Sequence, residues 1–307
     1  MKRDLLDIQD LSRNEIEQIL NLTATLKKDK SSMGRFLEGK AIALVFQKPS
    51  NRTRVSFEVG IWQMGGKCFY LGPDEISLGK RESTSDAAKT LSRYLDGIVA
   101  RTFSHQDIVE LAKYTTVPVI NGLSDVSHPC QAMADLFTIK EKFGGFKGVK
   151  VAYIGDGNNV CTSLLEGCAL LGANMSIATP KKYTLPKEVV ETAKKFAKES
   201  GSRIEIDNNP KNAAKGAHAI YTDTWVSMGQ EKESKKRLKD FKGFQVDNEL
   251  VSRADKNYIF MHCLPAHRGQ EVTESVIDGK HSVIFDQAEN RMHVQKAIIS
   301  FLLGEKQ

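Results

Sequence analysis

Residues 41–64 read AIALVFQKPSNRTRVSFEVGIWQM, and this segment decides the class of fold. The apolar run Ala41–Phe46 is typical of a buried strand, and the residues from Val55 to Met64 have helical spacing. Between them lies a turn of hydroxyl, amide and guanidinium side chains, residues 49–54. The first N–H groups of a helix attract anions, and arginine matches the geometry of phosphate oxygens. The segment therefore predicts a strand, a phosphate-binding turn and a helix; an N-capped surface helix with two solvated arginines is the alternative.

Short apolar runs alternate with helical patterns along the whole chain, which favours parallel sheets covered by helices on both faces. The expected strands are 41–46, 67–71, 97–101, 118–121, 149–154, 174–179, 203–207, 219–222, 258–262 and 282–286. Early helices are expected at 53–64, 83–93 and 106–114. A chain of 307 residues is long enough for two such domains. We predict an α/β fold of two domains, each a parallel sheet flanked by helices, with the active site in the cleft between them.

The paired glycines Gly144 and Gly145 mark the predicted domain boundary, because they follow a long amphipathic pattern that begins near Pro129. The first domain is expected to cover residues 1–145, and the second residues 146–286. A last helix, residues 287–307, is expected to return to the first domain.

Composition excludes several classes of protein. A hydrophobic content of 40% with 27% charged residues is typical of a globular chain, and no apolar run approaches the ~18 residues of a membrane span. The five cysteines form no C-x-x-C pair, which indicates reduced thiols without structural zinc. The net charge of +6 comes from scattered lysines without interleaved aromatics, which argues against a nucleic-acid-binding protein. The charged, lysine-rich residues 230–240 are expected to be solvated. We expect a cytoplasmic protein without a secretion signal or membrane contact.

Polar side chains follow six predicted strands, at the carboxyl ends where open parallel sheets bind ligands. They are residues 50–54, Arg101, His128 with Gln131, Asn158 with Asn159, Asp223, and residues 263–265. Six such positions together favour one site formed between two domains.

Each of these positions also has a structural alternative. Arg101 suits an oxyanion formed from a polarised carbonyl, or it is a solvated strand end. His128 and Gln131 suit hydrogen bonds to the same carbonyl, or the histidine only caps a helix. Cys263 faces a substrate amine, or it is a small buried hydrophobe; no Cys/His/Asn spacing indicates a covalent nucleophile.

Two further segments indicate what the second ligand is. Residues 155–159, GDGNN, begin like a dinucleotide fingerprint, but Val160 replaces its third glycine and the fingerprint fails. Adjacent asparagines suit a small polar ligand instead. Asp223, Ser227 and the hinge-like Gly229 place a carboxylate and a hydroxyl on one loop, which favours a substrate with an amine; a capped loop is the alternative.

The chain resembles the ornithine carbamoyltransferases over nearly its whole length. Four of its motifs, in order, match those of that family: residues 50–54, SNRTR; 128–131, HPCQ; 223–229, DTWVSMG; and 262–265, HCLP. The segment 289–291, ENR, matches too. The resemblance implies transfer of the carbamoyl group of carbamoyl phosphate to the side-chain amine of L-ornithine. The products are L-citrulline and phosphate, formed through a tetrahedral intermediate in arginine biosynthesis or the catabolic arginine deiminase route.

The resemblance also implies the role of individual residues. The phosphate and carbamoyl ends would contact Ser50, Asn51, Arg52, Thr53, Ser77, Arg101, His128, Pro129, Cys130, Gln131, Cys263, Leu264 and Arg291, with Arg54 supporting the turn. Ornithine would contact Asn159, Asp223, Ser227 and Met228. The catalytic set would be Arg101, His128, Gln131, Cys263 and Asp223, without metal or cofactor. The first domain would bind carbamoyl phosphate, the second L-ornithine, and the chain would form homotrimers or assemblies of trimers.

Two positions depart from the family pattern. Asn51 replaces the usual threonine of the phosphate motif, and its amide can still donate a hydrogen bond. Ser77 lies where a neighbouring subunit of this family often offers glutamine, and Lys80 or Arg81 is the alternative for that contact.

Other functions fit the sequence less well. An aspartate carbamoyltransferase would need cationic residues where Asp223 and Ser227 stand, and putrescine lacks the α-carboxylate and α-amine that this loop suits. A non-catalytic sensor of a phosphorylated metabolite would leave His128, Gln131 and Cys263 without a task. A Rossmann dehydrogenase is the third alternative, which the incomplete glycine fingerprint disfavours.

Overall fold

The structure is a computed structural model that describes residues 2–29, 34–76, 78–79 and 82–304. The strands are β1 (Ala41–Phe46), β2 (Lys67–Leu71), β3 (Gly97–Arg101), β4 (Val119–Leu123), β5 (Lys150–Ile154), β6 (Asn174–Ala178), β7 (Ile204–Asp207), β8 (Ala219–Thr222) and β9 (Ile259–His262). The helices are α1 (Arg13–Lys28), α2 (Asn51–Gln63), α3 (Thr84–Leu91), α4 (His105–Tyr114), α5 (Pro129–Phe143), α6 (Asn159–Leu171), α7 (Lys187–Ser200), α8 (Pro210–Ala214), α9 (Ser234–Asp240), α10 (Asn248–Val251), α11 (Glu274–Ile277) and α12 (Ile284–Leu303).

The chain divides into two compact units. The first contains the residues up to Phe137 and those from Glu289 onward, and the second contains Thr138–Ala288. The divisions fall within α5 and α12, the first of them ahead of the glycine pair at which the sequence predicts a boundary.

A four-stranded parallel sheet forms the core of the first unit, in the order β2-β1-β3-β4. Its central strands are β1 and β3, and every residue of β3 is buried. They are continuous apolar runs because helices cover both faces of such a sheet. Leu5 forms a further parallel bridge to Ile120 of β4. The α/β expectation is confirmed here, including the bounds of β1, β2 and β3.

The second unit holds a five-stranded parallel sheet in the order β7-β6-β5-β8-β9. Apolar side chains of β5, β8 and β9 pack in one cluster with aromatic residues from the loops and helices that follow. Trp225, Phe241 and Phe244 belong to that cluster, and Phe241 is fully buried. This cluster anchors the segments that carry the second candidate site.

The predicted strand at 282–286 is wrong. Ser282 forms only an isolated bridge to Phe260, and α12 begins at Ile284. Asp286 lies in the first turn of that helix, where the helix dipole favours a carboxylate. The apolar residues just before Asp286 therefore begin the helix and do not form a strand. Among the described residues no helix is both long and apolar enough to cross a membrane.

Candidate functional site

The turn before α2 is organised by Ser50 and Thr53. Ser50 caps the helix, and its Oγ accepts from the backbone N–H of Thr53 at 3.3 Å. The buried Thr53 Oγ1 lies 3.1 Å from Ser50 Oγ and accepts from Arg291 Nη2 at 3.0 Å. A hydroxyl has two acceptor positions and one proton, so these contacts leave the Thr53 proton for a ligand oxygen. A helix N-terminus, a hydroxyl and a guanidinium in this arrangement have the donors and the charge that suit an anion.

Arg101 ends β3 beside this turn. Its side chain is only 8% exposed, and Nε donates to the Lys48 backbone carbonyl at 3.0 Å. The strand pairing shifts register between Ala100 and Arg101, and such irregularities reorient a side chain at a strand end. The fixed guanidinium therefore lies at the carboxyl edge of the sheet, where the sequence predicts it.

His128 lies at the start of α5 and is buried. Burial lowers the pKa of its imidazole well below the ordinary value, and the positive charges of Arg291 and Arg101 lower it further. The preceding Ser127 donates to Asp7 Oδ1 at 2.7 Å, which ties this loop to the N-terminal segment. The imidazole is therefore neutral at pH 7.

The residues after His128 occupy the first turn of α5. Pro129 is the first helical residue, and Gln131 Nε2 donates to the fully buried Asp135 Oδ1 at 2.7 Å. The Cys130 thiol lies 3.5 Å from the Asn121 carbonyl oxygen, and burial raises its pKa to about 12. Its sulfur is therefore an inert thiol.

The two arginines of the turn differ. Arg52 is exposed at the start of α2. Arg54 instead pairs with Glu58 at 2.9 Å, and its guanidinium lies 3.8 Å from the ring centroid of Tyr70. It links α2 to β2 and does not support the turn as the resemblance implies. Asn51 is exposed beside Arg52.

The predicted neighbouring-subunit contact lies outside the described residues, because Ser77, Lys80 and Arg81 all fall in the gaps.

In the second unit, three elements meet at the Asp223 carboxylate. Oδ2 accepts from Asn158 Nδ2 at 2.7 Å, and Oδ1 accepts from the Cys263 thiol at 3.0 Å. The backbone N–H of Thr224 also donates to Oδ1 at 2.8 Å. Asp223 is 5% exposed and follows β8, while its partners follow β5 and β9. The structure therefore brings together three of the predicted strand ends around one fixed carboxylate.

The segment after β9 has strained backbone. Leu264 has a φ of 60°, which lies in the left-handed region. Its N–H donates to His262 Nδ1 at 2.8 Å, and His262 Nε2 lies 3.4 Å from the buried Glu271 Oε1. A non-glycine residue in the left-handed region costs ~1–3 kcal/mol and is typical of ligand-binding segments.

Ligand-type atoms of Asp223, His262 and Cys263 lie within 4.8 Å of one another. His262 Nδ1 already accepts from Leu264, and the Cys263 thiol donates to Asp223. A metal would have to displace these bonds, since both the imidazole and the thiol are already engaged in hydrogen bonds.

The remaining predicted residues lie on loops of the second unit. Met228 is 47% exposed, and the Ser227 N–H donates to Gln230 Oε1 at 3.0 Å. Asn159 is the first residue of α6, and its Oδ1 accepts from the Val160 N–H. The neighbouring Asn158 both caps α6 and holds Asp223. Of the two adjacent asparagines, Asn158 is therefore the one with a structural role.

The glycine loop after β5 is filled by protein. A Cβ at Gly157 would lie 2.7 Å from Leu185 N and 2.8 Å from Tyr183 O, and the Gly157 N–H donates to that carbonyl at 2.8 Å. In a dinucleotide-binding fold the corresponding glycine lets the backbone approach a pyrophosphate. Here the loop around Tyr183 makes that approach, so protein occupies the space beside this glycine.

Sequence reasoning missed several supporting residues. Asp135 orients Gln131, Glu271 faces His262, and Arg237 pairs with Asp156. The expectation that residues 230–240 are solvated is wrong at Arg237, which is 4% exposed. A lysine-rich helix of seven residues gives no signal that one of its cations turns inward. The helix-cap preference of asparagine was the available signal for Asn158.

Two family models match the chain. The carbamoyl-P binding domain of aspartate/ornithine carbamoyltransferase matches residues 3–141, and the Asp/Orn binding domain matches residues 147–302.

Relatives match over nearly the full length. An ornithine carbamoyltransferase of Thermococcus kodakarensis is 54% identical, with 98% of this chain and 96% of that protein covered. A catabolic ornithine carbamoyltransferase of Thermoplasma volcanium is 50% identical, with 99% of each chain covered. The solved structure of the ornithine carbamoyltransferase from Pyrococcus furiosus superposes with a TM-score of 0.96 at 51% identity, and the match covers 100% of this chain and 98% of that one.

Proposed function

Since the chain belongs to the aspartate/ornithine carbamoyltransferase family, we propose that it transfers the carbamoyl group of carbamoyl phosphate to the side-chain amine of L-ornithine. The products are L-citrulline and phosphate. The observation that carries the proposal is the opposite charge of the two candidate sites: guanidinium groups in the first unit and a fixed carboxylate in the second. An anionic donor and an amine-bearing acceptor match those charges.

We assign the phosphate of carbamoyl phosphate to the N-terminus of α2. The unpaired N–H groups of the first turn and the Thr53 hydroxyl would donate to its oxygens, and Arg52 would supply a bidentate guanidinium. Support comes from the contact between Arg291 and Thr53, which adds a second cation to the same turn. Ser50 and Asn51 complete the proposed phosphate site.

Arg101 and His128 are the proposed donors to the carbamoyl oxygen. When the amine attacks the carbonyl carbon, that oxygen gains negative charge, and donors fixed in advance stabilise it at low reorganisation cost. Both side chains are buried, and the bond to the Lys48 carbonyl holds Arg101, which supports this role. Collapse of the tetrahedral intermediate then breaks the carbon–oxygen bond to phosphate, and the amine loses a proton.

Asp223 is the proposed partner of ornithine, together with Asn159, Ser227 and Met228. An alkyl amine has a pKa near ~10.4 and must lose its proton before it attacks. Cationic groups and a dry environment favour the neutral amine. The hydrogen bond from the Cys263 thiol to Asp223 supports a role for both in presenting that amine. Roles for Gln131, Pro129, Cys130 and Leu264 stay predictions.

Citrulline formation tests the proposal. The purified protein receives carbamoyl phosphate and, in separate reactions, L-ornithine, L-aspartate, putrescine or N-acetyl-L-ornithine. We expect turnover with L-ornithine alone. Turnover with another acceptor would retain the assignment of the first unit and overturn that of Asp223, and no turnover with any of them would favour a metabolite sensor.

We further propose that the chain forms homotrimers and works in the cytoplasm. Three large apolar side chains of the first unit are exposed: Val55 (53%) and Trp62 (73%) of α2, and Phe69 (49%) of the edge strand β2. Exposed apolar side chains of this kind commonly mark contact surfaces. The free thiols among the described cysteines suit a reducing compartment. Light scattering should give three times the chain mass for the parent protein and a lower mass for Val55→Lys; a monomeric parent would contradict the assembly. Cell fractionation checks the compartment.

A further inference from the structure

Arg237 is buried in a helix whose other cations face solvent. It is 4% exposed, whereas Lys236 beside it is exposed. Its Nη2 pairs with Asp156, and its Nε donates to the backbone carbonyl of Trp225. The guanidinium also lies 4.6 Å from the ring centroid of Tyr183. One side chain thereby contacts the loop after β5, the loop around Tyr183 and the loop after β8.

These contacts run beside the group that holds Asp223. Asn158, two residues after Asp156, donates to the Asp223 carboxylate at 2.7 Å. Trp225, two residues after Asp223, is held by Arg237. The same two loops are thus joined twice, once directly and once through Arg237.

We propose that Arg237 is a positioning residue for the acceptor loop, defined here as residues 223–229, which it holds against the loop after β5 through Asp156. The proposal rests on the proposed function, in which this loop binds L-ornithine. Arg237 touches no reacting atom; it acts by fixing where Asp223 and Ser227 lie.

Arginine is required here for its geometry. A planar guanidinium presents Nε and Nη2 to two acceptors at fixed angles and stacks on aromatic rings, as it does on Tyr183 and Phe241. A lysine ammonium keeps the charge but has no second donor in that plane.

The charge of Arg237 also supports the loop. Burial raises the pKa of Asp156 to about 6. The Arg237 guanidinium opposes this rise in pKa, and the negative charge of Asp223 increases it. Without Arg237, two carboxylates would face each other with less compensation, and the Asn158 bridge between their loops would be the tie that remains.

Steady-state kinetics test the proposal with four variants: Arg237→Gln, Arg237→Lys, the double variant Asp156→Asn with Arg237→Gln, and the control Lys236→Gln. The control removes an exposed charge from the same helix. We expect Arg237→Gln to raise the KM for L-ornithine by about tenfold to a hundredfold, because a shift of ~1 Å in binding groups has effects of that size. The KM for carbamoyl phosphate should change less than about twofold. Arg237→Gln alone leaves the buried Asp156 carboxylate without its cation, which could prevent folding. The double variant removes both charges of this pair, so the test stays valid in that case.

Tryptophan fluorescence tests the same idea without turnover. The sequence contains two tryptophans, and Trp225 is 5% exposed whereas Trp62 is 73% exposed. In a Trp62→Phe background, acrylamide quenching therefore reports on Trp225 alone. We expect strong protection in the parent and in Lys236→Gln, and increased quenching in Arg237→Gln and the double variant. Arg237→Lys should lie closer to Arg237→Gln than to the parent.

The two readouts separate the possible failures. Unchanged quenching and an unchanged KM for L-ornithine in both Arg237→Gln and the double variant would overturn the positioning role. Equal losses for both substrates would also overturn it, because they indicate a general structural role. A parent protein that is inactive with L-ornithine would refute the proposed function, while increased quenching would still support the tie between Arg237 and the loop.

Discussion

At the scale of single residues, each candidate site depends on side chains whose freedom is removed by their neighbours. Thr53 is held by Ser50 and Arg291, and Asp223 is held by Asn158 and Cys263. A side chain fixed before the ligand arrives loses little conformational entropy on binding. Both sites are preorganised for charge recognition.

Arg101→Ala should lower kcat by about 100-fold to 1000-fold, the usual effect of losing one oxyanion donor. The fold should survive, because the lost side-chain bond is to the Lys48 carbonyl at the edge of the turn. Citrulline formation and circular dichroism measure the two properties. Arg93→Ala removes an exposed arginine of the same unit and is the control. An unchanged kcat in Arg101→Ala would refute the proposed role.

At the scale of elements, both sites use the same local structure: a parallel strand that ends in a polar turn and begins a helix. Ser50 caps α2 after β1, and Asn158 caps α6 after β5. The cap side chains satisfy N–H groups that the helix leaves unpaired, and the positive end of the dipole faces the ligand edge of the sheet. The two turns differ in what fills them, since Gly157 is packed against Tyr183.

Gly157→Ala should destabilise the fold by ~1–3 kcal/mol and weaken L-ornithine binding, because the new methyl group overpacks the loop contact. Its Cβ would lie 2.8 Å from backbone atoms of Tyr183 and Thr184, and a shift of the backbone at this residue would displace the adjacent Asn158. Chemical denaturation and the KM for L-ornithine measure the effect. Gly145→Ala is the matched control, because no atom lies within 4 Å of a Cβ there. Equal stability of the two variants would contradict the close packing.

At the scale of the whole molecule, buried ionisable groups connect the candidate sites to global stability. Burial and the charges of Arg291 and Arg101 lower the pKa of His128 well below its ordinary value, while burial raises that of Asp156 to about 6. Both shifts favour the neutral form of a buried group. Stability therefore depends on pH, with opposite signs for the histidine and the carboxylate.

We expect His128→Gln to reduce the loss of thermal stability on acidification. Below about pH 6.5 the unfolded chain protonates this imidazole while the folded chain does not, so acid favours unfolding. The fall in Tm between about pH 7 and pH 5 should be smaller in the variant, while the Asp156 contribution is present in both proteins. Scanning calorimetry at the two pH values makes the comparison. An equal slope in His128→Gln and in the parent would contradict a neutral buried imidazole.

Phosphate binding at α2 should stabilise the entire fold by linkage. Inorganic phosphate at ~100 times its Kd adds ~2.7 kcal/mol, a rise in Tm of ~5 °C for a chain of this size. Arg52→Ala should abolish most of this rise. Arg54→Ala should retain it, because Arg54 pairs with Glu58 and covers Tyr70. Equal losses in the two variants would refute the separate roles of these arginines.

Much of the fold could be predicted because parallel strands buried on both faces are continuous apolar runs. The bounds of β1 and β3 follow from that pattern, whereas residues 282–286 show its limit: an apolar start to a helix looks like a short strand. The candidate site residues fall at strand ends because of the same sheet geometry. The individual hydrogen bonds of Asp223 and the inward turn of Arg237 could not be predicted, since the atoms that meet are far apart in sequence.

The amino-acid sequence was sufficient to predict the class of fold, the family motifs and the chemistry that those motifs carry. Such properties depend on residue type and on spacing within one segment, where the physics is local. The folded structure was needed to show that Arg291 supports Thr53, that Arg54 contacts Glu58 and Tyr70, and that Arg237 turns inward to Asp156. Burial and long-range pairing arise when distant segments fold together, and a local pattern carries no record of which segments meet.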